Sequence, residues 1–414
     1  MNSCSPWLRS TVAASLLLAA AAAQADVVTD WNQTGFAVMQ TAGFAGVVRG
    51  RALAMMHVAM SDAVNSVQPR YTRYLAGDPV NSKASAEAAA AAAARTVLVH
   101  VVPAQKAKVE EAYAASINAI ADGAARGEGI ALGERVAAAV IAERANDPVS
   151  VAETWRPVTT AGVWVPPAHP FPEFAPAKPW AMQRIDQFRP GPPPALTSAV
   201  YARDYNETRE IGAIKSTRRT QAQTDAVRFW TTQSPGQNFT PAWHHAARSL
   251  SSAKGLSVAD NARLFALVSV AMADAFNTAY LDTKAQYNFW RPVTAIRNGD
   301  RDGNDATERD AVWLPLTTTP GDSEYASGAG LVTGAAAAVV EAVFGAAAAS
   351  PITVADVTDP KITRQYASTA EMAAEMCNVR VWGGVHFRNS VETGESMGRQ
   401  IAAYVMATRF RPLP

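Results

Sequence analysis

The sequence predicts an all-α fold, a helical bundle. Three observations carry this. Apolar residues recur at spacings of three and four along most of the chain, alternating strand patterns are nearly absent, and alanine fills long stretches. Helices are therefore expected over 85–101, 104–121 and 131–146. After a proline-rich interval they resume over 199–212, 220–232, 258–280, 324–344, 361–381 and 389–408. The interval 155–197 holds 11 of the 25 prolines. Proline removes backbone donors and breaks helices, so this stretch is a long connection. Its Trp164, Phe171, Phe174 and Trp180 argue that it packs on the body.

This divides the chain into an N-terminal helical half (26–154), a proline-rich connecting segment (155–197) and a C-terminal helical half (198–414). A weak repeat supports two tandem four-helix-bundle-like halves. V-A-M-S-D-A-V-N-S at 58–66 matches V-A-M-A-D-A-F-N-T at 270–278 in six of nine positions.

Residues 1–25 read as a secretory signal. Arg9 gives positive charge, 11–23 form a short apolar run, and Ala23-Gln24-Ala25 is a small-x-small cleavage site. The mature chain would begin at Asp26 and be exported, periplasmic or secreted. No other stretch is expected to span a membrane. Cys4 leaves with the leader, and Cys377 is expected as a buried small apolar residue, so no disulfide framework or Cys-based zinc site is possible. Lys+Arg is 37 and Asp+Glu is 36. A net charge of +1 excludes nucleic acid and anionic membrane as partners recognised by a global field. Any anion must be held by a few placed cations.

Three segments supply such cations. In K-A-Q-Y-N-F-W-R-P, Lys284 and Arg291 lie seven apart, which on a helix puts both on one face before Pro292. In E-Y-A-S-G-A-G, Ser327 and Gly328 open an alanine-rich helix, whose free N–H groups suit an anion. In N-V-R-V-W-G-G-V-H-F-R, Arg380 offers a rigid fork of donors and His386 a nucleophile or metal ligand.

Their order and spacing resemble the vanadium-dependent haloperoxidase and type-2 phosphatidic acid phosphatase superfamily. The family pattern is Lys, six residues, Arg-Pro; then Pro-Ser-Gly-His; then Ser-Arg, three residues, Gly-x-His. S-T-R-R-T-Q-A-Q-T-D-A-V-R-F-W, A-R-L-F-A-L-V-S-V-A-M-A-D-A, M-H-V-A-M-S-D-A-V-N and Q-F-R-P-G-P-P-P extend the resemblance to the bacterial haloperoxidase-like branch. The resemblance implies that Lys284, Arg291, Arg380, Ser327 and the Gly328 N–H hold vanadate, or phosphate in the same site. His386 would be the vanadium ligand of a haloperoxidase, a peroxidase that oxidises halide with hydrogen peroxide and passes it to a small organic acceptor. Alternatively, His386 would be the nucleophile of an acid phosphatase acting on a phosphomonoester. A homo-oligomer is compatible with either.

The chain departs from this pattern at the acid–base residue. The His that should end the second motif is Ala329, the preceding Pro is Ala326, and a His-Pro pair often found upstream is Asp322-Ser323. Val379 replaces the Ser before Arg380, and Ser390 stands where some members have a carboxylate. A third reading is thus a catalytically lapsed oxyanion-binding relative. Asp322, Glu324 and His245 are candidates for a relocated acid. Among weaker signals, D-R-D-G-N-D at 300–305 reads as a polar loop, His244 and His245 as surface or pocket-lining residues, and His57 with Asp62 as a buried polar pair.

Overall fold

A computed structural model describes residues 26–75, 77, 79–147, 158–166, 177–231, 239–356, 359 and 361–414. The expected leader, 1–25, lies outside the described residues, as do Phe171 and Phe174. The fold is all-α, with one antiparallel strand pair among the described residues.

The first helices are α1 (Val27–Thr41), α2 (Gly46–Asn65), α3 (Ala86–Val101), α4 (Lys106–Asn118) and α5 (Ala124–Glu143). Asp26 caps α1 through a reciprocal capping box with Thr29, and Ser85 caps α3 by accepting from the Ala88 N–H. Then come α6 (Ala199–Ile211), α7 (Gln221–Thr231), α8 (Phe239–Lys254) and α9 (Val258–Ala273). Helix α9 runs through a π-turn, Asp274–Ala279, into α10 (Tyr280–Tyr287). The wider turn rotates α10 off the face that α9 presents. This continuous run, Val258–Tyr287, reaches the length and apolarity of a membrane span, which corrects the expectation that no stretch would. It is a core helix, with 83% of its apolar window buried inside the protein.

The second half continues with α11 (Pro292–Arg297), α12 (Gly328–Phe344), α13 (Thr369–Trp382) and α14 (Arg388–Thr408). Strands β1 (Ala347–Ala355) and β2 (Thr363–Ser368) pair between α12 and α13, with Ile352 opposite Tyr366. The expected helix over 361–381 therefore begins eight residues late. Its start is β-rich (Thr363, Tyr366), and Ser368 caps α13 by accepting from the Glu371 N–H. The helix expected from 324 starts at Gly328, because the backbone of 323–324 is engaged by Lys284 instead.

Helix α12 packs along α14, and α2 lies against α3 and α9. Both copies of the repeat are buried, and their aspartates do the same work. Asp62 accepts from the N–H groups of Tyr74 (2.7 Å) and Leu75 (2.8 Å). Asp274 accepts from those of Trp180 (2.6 Å), Ala181 (2.8 Å) and Met182 (3.0 Å). Each thus fastens a non-helical stretch to a core helix. Arg144, fully buried, adds bonds to the Lys178 and Pro179 carbonyls and stacks 4.0 Å over Trp180. Asp62 and His57 are both buried but do not pair, since His57 bonds Asn32 instead.

Candidate functional site

The three segments converge on one buried cluster of charge. Lys284 stands on the last turn of α10, and its ammonium donates to the carbonyls of Ser323 and Glu324 (2.7 Å for the latter). Asn288 then adopts a left-handed conformation (φ 41°) that stops the helix. Arg291 therefore does not share a helix face with Lys284, as the spacing had suggested. It caps α11, with Pro292 at the first helical position. The turn nonetheless brings both cations to Asp322, at 3.2 Å from Lys284 and 3.0 Å from Arg291. Arg291 also donates to the Asp322 and Val385 carbonyls, each at 2.8 Å.

Arg380 lies on the last turn of α13. Gly384, at φ 78°, reverses the chain after this helix, and the N–H groups of Val385 and His386 return to the Arg380 carbonyl at 3.1 and 3.3 Å. This turn is why histidine follows arginine at that spacing. Ser327 caps α12 and Gly328 begins it, so the Gly328 N–H has no partner one turn back in the helix. A Cβ at Gly328 would lie 2.6 Å from the Tyr280 ring and 2.9 Å from Phe276. Only glycine lets the stacked Phe276–Tyr280 pair close on the helix start.

His386 is buried between Glu324 and Arg291. Its Nδ1 lies 2.9 Å from Glu324 Oε1, which also accepts from the Phe387 N–H at 2.9 Å. Its Nε2 faces Arg291 NH1 at 2.9 Å. Burial, then the charges of Arg291, Lys284 and Arg380, hold the imidazole well below its usual pKa, so it is neutral at pH 7. These partners assign the proton to Nδ1 and leave the Nε2 lone pair inside the cluster. Burial raises Glu324 to about 7 and lowers Lys284 to about 8 and Arg380 to about 10. Burial alone would raise Asp322 too, but Arg291 and Lys284 overcome it and keep the carboxyl below its ordinary range.

Two features stand out. Arg380 is 2% exposed, yet its Nε and NH1 have no hydrogen-bond partner among the described residues. The Asp322 side chain keeps 19% exposure, the most of the charged groups here, and so marks the mouth. Tyr280 donates to Asp322 at 2.5 Å. Sequence reasoning missed this tyrosine, although it lies one helical turn before Lys284. Ala329 is half-buried and packs against the apolar core, so it contributes no polar group. Of the candidate acids, Asp322 and Glu324 belong to the cluster. His245 does not: it sits on α8 beside Arg248. His244, expected at a surface or pocket, is fully buried and bonded to Asn32.

Residues 263–412, which contain every member of this cluster, match the family model of the VCPO second helical-bundle domain. A bacterial vanadium-dependent iodoperoxidase structure superposes with a TM-score of 0.76 at 23% identity, covering 94% of this chain and 97% of that one. The protein is haloperoxidase-like in fold. Bacterial vanadium-dependent chloroperoxidases share this haloperoxidase-like architecture. The apo form has a TM-score of 0.67 at 16% identity, over 86% of this chain and 92% of that one. The holo form has 0.66 at 17%, over 87% and 92%. No curated protein matches the chain.

Proposed function

We propose that this protein is an exported vanadium-dependent haloperoxidase that works without the usual acid–base histidine. The observation that carries this is Arg380. Two donors of a buried guanidinium lie unpaired beside two further cations and a neutral imidazole. Buried donors left empty are costly, and a tetrahedral oxyanion such as vanadate satisfies them. Lys284, Arg291 and Arg380 would hold its oxygens, the Ser327 hydroxyl and Gly328 N–H would add hydrogen bonds, and His386 Nε2 would bind the metal. Vanadate supplies a Lewis acid through which hydrogen peroxide oxidises halide.

The chain's own groups do the rest. Glu324 fixes the imidazole orientation through Nδ1, and the unbroken burial of the cations keeps their charge unscreened. Loss of a general acid costs about 10²–10⁴ in rate, so Ala329 implies slow turnover. The same imidazole suits attack on phosphorus, since Glu324 stabilises the charge that would develop on it. A phosphomonoesterase is therefore the second reading.

Bromination of a diketone reporter with peroxide, with and without orthovanadate, tests the proposal. Activity in wild type that needs vanadate and disappears in His386→Ala is expected. Silence in wild type with activity in Ala329→His would mean an intact cradle that lost its chemistry at one residue. Silence in both, with phenyl phosphate hydrolysis inhibited by vanadate, would overturn the proposal in favour of the phosphatase.

A further inference from the structure

A cavity of about 320 Å³ lies where α1, the start of α2, α7, α8 and the end of β1 meet. That volume matches a one- or two-ring molecule. Aromatic residues form much of its wall: Phe36, Phe44, Phe229 and Trp230. Arg248, on α8, supplies a half-buried cation.

Among the described residues, the hydrogen-bond partners of Arg248 are neutral. Its NH1 donates to Asn32 Oδ1, and its NH2 lies 3.4 Å from His245 Nδ1. Asn32 is in turn bonded to His57 Nε2 and His244 Nδ1, each at 2.8 Å. Burial lowers all three histidines, and it lowers Arg248 to about 10. The network thus fixes the guanidinium without neutralising it. Arg49 is a second cation in the wall, with Nε and NH2 turned to the Phe44 carbonyl, and Asp356 is the wall's carboxylate.

We propose that this cavity binds a small aromatic carboxylate, its ring against the aromatic wall and its carboxylate on Arg248. A planar guanidinium held from behind matches a carboxylate in two parallel bonds, and aromatic walls favour a flat ring over an aliphatic chain. The site is separate from the oxyanion cradle but adjoins it. Trp230 stacks on Phe239 at 5.7 Å, and Phe239 lies 5.8 Å from the Arg380 guanidinium on the cradle side.

Calorimetric titration of the whole mature protein with benzoate and with benzamide, each with and without saturating inorganic phosphate, tests this. Benzoate is expected to bind at least ten-fold more tightly than its neutral isostere, and phosphate to leave that binding unchanged. Arg248→Met is expected to weaken benzoate ten-fold or more. Because that change also disturbs Asn32, Ala355→Phe, which fills the cavity from the strand side, provides an independent check and is expected to abolish binding with the melting temperature retained. No benzoate binding, equal binding of benzoate and benzamide, loss of binding in phosphate, or full binding in both variants would each overturn the proposal.

Discussion

Asp322 supplies the cradle with its own counter-ion. Its carboxylate sits 3.0–3.2 Å from Arg291 and Lys284, two of the three cations proposed to hold an oxyanion. A dianion must displace it or bind beside a like charge, and at such a distance that repulsion is worth more than a factor of ten in affinity. Asp322→Asn keeps the shape and removes the charge, so about ten-fold tighter phosphate binding is expected by calorimetry. Unchanged affinity would show that Asp322 does not compete. Lys284 gives a second test. Its proton is held below about pH 8 and lost above it, so phosphate affinity should fall as pH rises through 8. Lys284→Arg, whose cation persists to far higher pH, should flatten that profile. The cations, Ser327 and His386 were legible in the sequence because short motifs fix their spacing. The Asp322–Tyr280 bond was not, because it joins residues 42 positions apart and no local pattern records it.

Helices α12 and α14 approach through a reciprocal set of glycines. A Cβ at Gly334 would lie 2.1 Å from the Glu395 carbonyl oxygen, and one at Gly398 2.1 Å from that of Leu331. This contact holds the helix start at Ser327–Gly328 against the segment that follows His386. Gly334→Ala is therefore expected to cost roughly 1–3 kcal/mol and to weaken phosphate binding in parallel, as read by urea melts and calorimetry. Gly127→Ala, on the exposed face of α5 with nothing within 4 Å, should instead stabilise by roughly 0.5–1 kcal/mol. Alanine content and spacing located most helices, but not where they end near the site. There, the bonds from Lys284 to the Ser323 and Glu324 carbonyls compete with helical ones. Spacing alone also missed the strand pair, whose second member is only six residues long.

Across the whole molecule, the two repeat aspartates tie connecting segments to the central helices. Asp274→Ala would leave three N–H groups of residues 180–182 without their acceptor, and a loss of about 3 kcal/mol or more is expected in urea unfolding. Asp274→Asn, which keeps an acceptor oxygen, should recover part of it. The nine-residue repeat was visible in the sequence, whereas its shared use of a carboxylate as a backbone anchor was not, since the anchored residues have nothing in common. The packing of α2 on α9 bears on the order of synthesis. The repeat copies on these helices are 212 residues apart, and α2 is buried along nearly its whole length. A ribosome that has finished the first half has made α2 together with α3 and α5, which cover part of it, but not yet α9, which covers another side. Burial of α2 is completed only when α9 emerges, so the nascent chain passes through an interval in which one side of this buried helix is uncovered.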